Sequence, residues 1–246
     1  MIEKQVEIPN AGGTADGFLY QPEDKGHWPG VIHYPDVIGI RPENRGMARR
    51  LAAKGYVVLL PNPFYRTGKA PLFDFVPNFT DSRTIDRFKE LAGPLTPEVM
   101  ERDGSSYVDF LAKQPSVGGK AMAAIGYCFS GALALRTAAA RPDKIAAVAS
   151  FHGGGLFTGA PDSPHTVLPR VKAQLFFAHA VEDNSMPTEA IEKLESALKA
   201  WGGKYESETF AGARHGWTVP GTPVYNEAQA ERAFEKLVDL LKVTLH

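Results

Sequence analysis

The chain has 246 residues, a length that predicts one large domain or two small ones. Its 43% hydrophobic and 22% charged residues are typical of globular proteins and exclude disordered, collagen-like and fibrous chains. The net charge of −1 disfavours nucleic acid as the main partner, because binding to phosphates needs an excess of cations. The single cysteine cannot form an intramolecular disulfide, and it excludes a cysteine-rich zinc site.

The N-terminus alternates polar and apolar residues from Met1 to Ile8 and lacks the apolar segment of a signal peptide. The longest apolar-leaning run without a charge, Ala121 to Leu135, is shorter than the roughly 20 residues of a membrane-spanning helix. We therefore expect no membrane partner and a cytoplasmic location.

Short strand-forming runs recur along the chain, and helical patterns separate most of them. The predicted strands are Val6–Ile8, Gly17–Tyr20, Gly30–Tyr34, Tyr56–Leu60, Ala121–Tyr127, Ala146–Phe151, Gln174–His179 and Tyr205–Phe210. The predicted helices are Pro42–Lys54, Pro97–Lys113, Phe129–Arg141, Thr188–Trp201 and Asn226–Leu245. This alternation predicts an α/β fold with a mostly parallel central sheet of about eight strands and helices on both faces. No repeat or change in composition divides the chain, so residues 1–246 are expected to form a single domain.

A connection rich in proline and aromatic residues interrupts the alternation between Pro61 and Pro97. Its aromatic side chains are concentrated between Phe64 and Phe79. Two interpretations are open: a long connection that is buried by its own aromatic residues, or an apolar wall or partial lid over a site.

The most informative motif is residues 125–131, Ile-Gly-Tyr-Cys-Phe-Ser-Gly, where an apolar strand runs into a helix. Small residues at 126, 130 and 131 allow a tight turn that exposes the side chain of Cys128, as in a nucleophile elbow. The start of the following helix favours a thiolate and a developing oxyanion at that place. Cys128 replaces the usual serine and Ser130 the last glycine of the motif. The alternative is a buried cysteine that only fills space.

Two further residues follow the ends of later strands: Asp183 after the strand 174–179, and His215 after the strand 205–210. Nucleophile, acid and histidine therefore occur in the chain order of the α/β-hydrolases. The carboxyl ends of parallel strands meet at one crevice, so these residues can come together. Histidine can take the thiol proton, and a carboxylate can orient the ring. The alternatives are a helix cap for Asp183 and a surface position for His215.

These segments resemble the dienelactone hydrolase (carboxymethylenebutenolidase) family, α/β-hydrolases with a cysteine nucleophile. The matching segments are residues 126–131, Asp183 with Pro187, residues 212–215, and an early block of residues 35–39, 55–58 and 61. The resemblance extends over nearly the whole chain, and it implies the α/β-hydrolase fold.

The resemblance also implies a role for each matching position. Cys128 corresponds to the nucleophile, His215 to the base that later acts as an acid, and Asp183 to the carboxylate that orients the histidine. The backbone N–H groups of Val37 and Phe129 correspond to the oxyanion hole.

Two positions depart from the family. Asp36 stands where the family has a glutamate that hydrogen-bonds the resting thiol until substrate binds. The resemblance therefore implies that Asp36 is the carboxylate partner of the thiol, although its side chain is one methylene shorter. The arginines that bind a substrate carboxylate in the family have no clear counterpart. Candidate substrate-binding residues are Tyr65, Arg83, Arg87, Arg214, Trp217 and Tyr225. Surface or packing roles are the alternative for each of them.

We therefore predict a hydrolase of ester or lactone bonds that acts through a thioester acyl-enzyme on Cys128. The expected partner is a small-molecule ester or lactone, no cofactor is implied, and either a monomer or a dimer is compatible with the sequence. One alternative is a non-catalytic member of the fold that binds a small ligand or a partner. Another is cleavage of a carbon–halogen or carbon–carbon bond, which the cysteine disfavours. A metal site formed by His152, His179 and Asp183 would match no compact metal-binding spacing.

Overall fold

The computed structural model describes all 246 residues and contains one eight-stranded sheet. The strands are β1 (Ile2–Asn10), β2 (Gly13–Gln21), β3 (Trp28–Tyr34), β4 (Val57–Pro61), β5 (Val117–Tyr127), β6 (Ile145–Phe151), β7 (Gln174–His179) and β8 (Tyr205–Thr209). The α-helices are α1 (Pro42–Ala52), α2 (Ser82–Ala92), α3 (Pro97–Ala112), α4 (Ser130–Ala140), α5 (Thr188–Trp201) and α6 (Glu227–Leu245). No helix combines the length and the apolar character that crossing a membrane requires.

The strands lie in the order β1-β2-β4-β3-β5-β6-β7-β8. β2 runs antiparallel to both of its neighbours, and the pairs from β4 to β8 are parallel. All of the parallel strands therefore end at the same edge of the sheet. The predicted mostly parallel sheet of eight strands is confirmed.

Two hydrophobic cores cover the two faces of the sheet. One packs α3, α4 and α5 against the sheet, with Val108, Leu135 and Leu194 among its buried residues. The other packs α1 and α6 on the opposite face, with Leu51 and Leu237 among its buried residues. Because both faces are covered, the central strands can be apolar along their whole length, as the sequence indicated.

The predicted elements agree with the structure, and their bounds differ mainly at the edges of the sheet. β1 was predicted over Val6–Ile8 but extends over nine residues, because all of them pair with β2. A helix absent from the predicted series, α2, begins after Asp81, whose side chain accepts a hydrogen bond from the Arg83 N–H at 3.1 Å. A short 3-10 helix over Pro164–Arg170 was also not predicted.

The aromatic connection between β4 and α3 forms a third, smaller hydrophobic cluster. Phe64 and Phe73 are buried within it, as the first interpretation predicts. Cys128 and Phe129 pack against the same cluster, so the connection also covers the end of β5, as the second interpretation predicts. Each interpretation therefore holds for part of the segment.

The turn between β5 and α4 is the closest backbone approach in this part of the fold. A Cβ atom on Gly126 would lie 2.0 Å from the carbonyl oxygen of Ser130, which is backbone and cannot rotate away. Only glycine fits at this position, because any side chain would push the helix off the end of the strand.

A pair of glycine substitutions tests this close approach. We expect Gly126→Ala to lower the free energy of unfolding by about 3 kcal/mol, because the added methyl group overlaps backbone atoms. Gly46→Ala, in the exposed part of α1 with no atom within 4 Å of the added Cβ, should instead raise it by about 0.5–1 kcal/mol. Urea denaturation of both variants measures the difference. Equal effects from the two substitutions would contradict the account of the turn.

Candidate active site

Backbone strain is concentrated at the carboxyl edge of the sheet. The three non-glycine residues with positive φ are Cys128 (56°), His152 (39°) and Glu182 (53°), and they follow β5, β6 and β7 respectively. Strained backbone of this kind is typical of functional sites. At Cys128 the turn is held by its own N–H, which donates to the Phe151 carbonyl at 3.0 Å, and by its carbonyl, which accepts from the Gly131 N–H at 3.1 Å.

His215 and Asp183 form a close pair beside the thiol. His215 Nδ1 lies 2.7 Å from Asp183 Oδ2, and the carboxyl side chain is almost completely buried. A carboxylate can only accept, so Nδ1 carries the proton and Nε2 is the nitrogen left to face Cys128. Ser185 fixes the other oxygen of the carboxylate, because its N–H and Oγ donate to Asp183 Oδ1 at 2.9 and 2.6 Å.

The charges of the site favour a protonated His215. Burial opposes that charge, but the hydrogen bond to Asp183 and the adjacent Cys128 thiol outweigh it and raise the pKa of His215 to about 10. Burial also opposes the charge of Asp183, yet its hydrogen bonds with His215 and Ser185 lower the pKa of the carboxyl. The structure therefore brings Cys128, Asp183 and His215 together at one wall of the site.

Two backbone N–H groups of residues that line the site have no partner within the protein. Neither the Val37 N–H nor the Phe129 N–H donates a hydrogen bond within the protein, and both residues line the same cavity as Cys128. The buried Ser130 Oγ donates to the Pro35 carbonyl at 2.6 Å. This bond ties the start of α4, next to Phe129, to the loop that carries Val37.

Asp36 does not partner the thiol, and that expectation is corrected. Both of its carboxylate oxygens accept from the Arg41 guanidinium at 2.7 Å, and Oδ1 also accepts from the Ile38 N–H at 3.0 Å. A two-bond carboxylate–guanidinium pair is strong and directional. Because the side chain is short and Arg41 lies five residues along the chain, the carboxylate closes its own loop and makes no hydrogen bond with Cys128.

The thiol opens into a cavity of about 910 Å³. One side of the cavity is apolar and consists of Val37, Phe79, Phe88, Leu95, Met100 and Phe129. Phe88 meets Phe129 and Phe79 edge to face, with ring centroids 5.7 and 6.5 Å apart. The other side is polar and includes Arg136, Thr158, Asp162, Glu182 and Arg214.

Most of the candidate substrate-binding residues lie outside this cavity. Arg214 lines it, close to Glu182 at 3.8 Å. Arg83 is exposed and pairs with Asp74, and Trp217 is buried against Phe210 with ring centroids 4.7 Å apart. Tyr65, Arg87 and Tyr225 are also absent from the lining of the cavity. These five residues therefore do not line the cavity at Cys128.

The two other histidines at strand ends have partners of their own. His152 Nε2 lies 2.8 Å from Thr218 Oγ1, and His179 Nε2 lies 3.2 Å from Ser207 Oγ. Burial holds the pKa of His152 well below its ordinary value and lowers that of His179 to about 4. No group of three or more His, Cys, Asp or Glu side chains is arranged to hold a metal ion.

Two residues of the site were not identified from the sequence. Ser185 stands two places after Asp183, and this spacing is the signal of a local turn that could have indicated it. Arg136 is a buried residue of α4, further along the chain than Phe129. It bonds Glu101 at 3.3 Å and the Asp162 carbonyl. Nothing local marks Arg136, because its partners come from distant segments.

Comparison with known proteins places the chain among relatives of similar length. A sequence model of the dienelactone hydrolase family matches residues 15–245. The chain is 27% identical over 237 residues to a carboxymethylenebutenolidase from Rhodococcus opacus, covering 92% of this chain and 85% of that protein. It is 26% identical over 246 residues to a Synechocystis protein assigned as a carboxymethylenebutenolidase, covering 98% and 96%.

The fold has a close structural counterpart in a Klebsiella pneumoniae protein assigned as a dienelactone hydrolase. The two structures superpose with a TM-score of 0.86 at 21% sequence identity, and the match covers 98% of each chain. The predicted α/β-hydrolase fold is thereby confirmed.

The charge arrangement predicts an unusual titration of His215. We expect its ring to titrate near pH 10 in the wild type, and closer to 6.5 or below in Cys128→Ala and Asp183→Asn, because each variant removes a group that raises the pKa. NMR of the ring nitrogens measures the midpoints, and His179, whose pKa burial lowers to about 4, shows the opposite shift from the ordinary value in the same wild-type spectrum.

The same shift predicts a pH dependence of stability. The folded chain holds the His215 proton more tightly than the unfolded chain, so this contribution is fully present below pH 6.5 and is lost as the pH rises to about 10. The difference in unfolding free energy between wild type and His215→Gln should shrink over that range. A midpoint near pH 6.5 for the titration of the His215 ring in the wild type would contradict the described charge pair.

Proposed function

The chain belongs to the dienelactone hydrolase family, and on this basis we propose that it hydrolyses ester or lactone bonds of small molecules with Cys128 as the nucleophile. The observation that carries the proposal is the convergence of Cys128, His215 and Asp183 at one wall of a cavity, with His215 Nδ1 2.7 Å from Asp183. This is the arrangement that nucleophilic catalysis needs: a nucleophile, a proton carrier and a group that orients the carrier.

In the first half of the reaction, His215 takes the thiol proton of Cys128, as a base beside a nucleophile can do. The thiolate sulfur attacks the substrate carbonyl carbon, and the N–H groups of Val37 and Phe129 donate to the oxyanion that forms. The carbon–oxygen bond to the leaving group then breaks. The leaving oxygen takes the proton from His215, and the acyl group remains on sulfur as a thioester.

In the second half, the neutral His215 ring takes a proton from a water molecule. The resulting hydroxide attacks the thioester carbonyl, and the same two N–H groups donate to the second oxyanion. The carbon–sulfur bond breaks, so the carboxylic acid product leaves and the pair of thiolate and protonated histidine is restored. Asp183 stays ionised throughout and stabilises the imidazolium.

The protonated state of His215 bears on the choice of substrate. An enol or aryl ester has a leaving oxygen that needs little protonation, whereas the nitrogen of an amide must be protonated before it leaves. A thiolate attack therefore suits activated esters and enol lactones. The apolar side of the cavity, with Phe79 and Phe88, supports an acyl or leaving group with exposed carbon surface.

The acyl-enzyme is the intermediate that distinguishes this proposal from a non-catalytic binding protein. On brief mixing with 4-nitrophenyl acetate, we expect intact-mass spectrometry to detect an acetyl adduct on Cys128 in the wild type. His215→Ala should slow turnover by about 10²–10⁴-fold, because it removes the proton carrier. His27→Ala, at an exposed position, is the matched control and should behave as the wild type.

Cys128→Ser should lose activity by orders of magnitude, because a hydroxyl needs a stronger base than the thiol. Turnover at the wild-type rate in this variant would rule out the thioester mechanism. If the wild type gave neither adduct nor turnover while Cys128 remained open to alkylation, the non-catalytic alternative would be the better account.

The bond between Ser130 Oγ and the Pro35 carbonyl holds the two donors of the oxyanion at a constant separation. We expect Ser130→Ala to lower kcat about tenfold with little change in KM, since the donors act on the transition state rather than on the bound ester. Ser150→Ala is the control, because Ser150 is equally buried and its Oγ has no partner. Equal kcat in the two variants would show that the tie does not position the donors.

A further inference from the structure

The loop between β3 and α1 carries one of the two candidate oxyanion donors on a β-turn over residues 36–39. The Gly39 N–H donates to the Asp36 carbonyl at 2.9 Å, which places Val37 at the first central position of the turn. The hydrogen bond of a β-turn joins its first carbonyl to its fourth N–H, so the N–H of the first central residue is left out of it. The turn therefore leaves the Val37 N–H without a partner, in a residue that lines the cavity at Cys128.

The Asp36 side chain closes the same turn a second time. Its Oδ1 accepts from the Ile38 N–H at 3.0 Å, a local bond that aspartate commonly makes in turns. Asp36 is also buried, and a buried carboxylate is stable only when a charged or hydrogen-bonding partner compensates it. The conformation of the turn therefore depends on what pairs with this carboxylate.

Arg41 is that partner, and it anchors the turn to α1. Its Nη1 and Nη2 donate to the two carboxylate oxygens of Asp36 at 2.7 Å each, a fork that fixes orientation as well as distance. Nη1 also lies 3.2 Å from the Gly39 carbonyl and 2.9 Å from Oδ1 of Asn44, a fully buried residue in the first turn of α1. One guanidinium thus bonds the first residue of the turn, its last residue and the following helix.

These bonds act at a distance from the reacting atoms. Neither Asp36 nor Arg41 lines the cavity at Cys128, whereas Val37, which follows Asp36 in the chain, does. A hydrogen-bond donor lowers the barrier only when it already stands where the charge will develop. A tie that orders the turn therefore bears on the reaction through the backbone of Val37.

From these observations we propose that Arg41 is a positioning residue: through Asp36 it holds the turn so that the Val37 N–H is directed at the oxyanion formed on the substrate of Cys128. The inference rests on the proposed hydrolysis, because it assigns a role within that reaction. The alternative is that the pair of Arg41 and Asp36 only stabilises the fold.

A second arginine–aspartate pair provides a matched control. Arg66 makes two bonds to Asp103, at 2.5 and 3.0 Å, and its side chains are 16% and 5% exposed, compared with 19% and 8% for Arg41 and Asp36. Neither Arg66 nor Asp103 lines the cavity at Cys128. Replacement by lysine keeps the charge of each pair and removes the fork.

We expect Arg41→Lys to lower kcat for 4-nitrophenyl acetate about tenfold and to change KM less than about twofold. The donor is misplaced rather than removed, and it acts on the transition state rather than on the bound ester. Both halves of the reaction pass through an oxyanion, so kcat falls whichever half limits the rate. Arg66→Lys should lose comparable stability in urea denaturation and keep the wild-type kcat.

A second variant tests the pair from its other side, and it serves if Arg41→Lys fails to fold. Asp36→Asn keeps an oxygen that can accept from the Ile38 N–H but removes the charge that Arg41 bonds. It should lower kcat about tenfold as well. The double variant should lose no more than either single one, because both changes break one interaction. A loss of about 100-fold in the double variant would overturn the proposal, since the two residues would then act independently.

Amide hydrogen exchange measures the order of the turn without reference to activity. The N–H groups of Ile38 and Gly39, which are bonded within the turn, should exchange faster in Arg41→Lys than in Arg66→Lys. An active wild type with equal kcat in these two variants would overturn the inference and leave the proposed hydrolysis intact, whatever the exchange rates. A wild type without turnover would instead refute the proposed function, and this inference with it.

Discussion

The contact between the end of β5 and the start of α4 is the constraint on which the rest of the site depends. Gly126 lets the Ser130 carbonyl approach so closely that no side chain fits between them. This approach forces Cys128 into positive φ and presents its thiol at the edge of the sheet. It also places Cys128 next to the start of α4, where the helix dipole favours a negative charge. The strained backbone of Cys128, the exposure of its thiol and the unpartnered N–H of Phe129 are thus consequences of one steric requirement.

The chemistry of the site depends on how charge is distributed around this turn. Asp183 is buried but fully bonded, so it remains ionised and stabilises a positive His215. The neighbouring thiol adds to the same effect, which is why the ring holds its proton far above the ordinary pH range for histidine. In contrast, His152 packs edge to face on His215 with ring centroids 5.1 Å apart and is kept neutral by burial. Two histidines in contact therefore differ in charge. His215 is positive and His152 is neutral, because only His215 has a carboxylate partner.

Much of the fold and part of the candidate site could be predicted from the sequence, because they arise from local patterns. Apolar runs and helical periodicity indicate every strand and five of the six α-helices. Cys128, Asp183 and His215 follow the ends of β5, β7 and β8, so they lie at one edge once the sheet is parallel. The pairing of Asp36 with Arg41 could not be predicted, because a carboxylate at that position has several partners within reach and only the loop conformation selects one.

The sequence by itself determined the α/β architecture, the turn at Cys128 and the chain order of the three site residues, since each depends on residues that are close in sequence or on the common direction of parallel strands. The tertiary structure alone decided which side chains surround the site. Arg136 meets Glu101, the aromatic connection reaches Phe129, and Ser130 bonds the Pro35 carbonyl across 95 residues. It also decided that the ring of Tyr127 packs between those of His33 and Phe151. Such contacts depend on strand register and helix packing, which local sequence patterns do not encode.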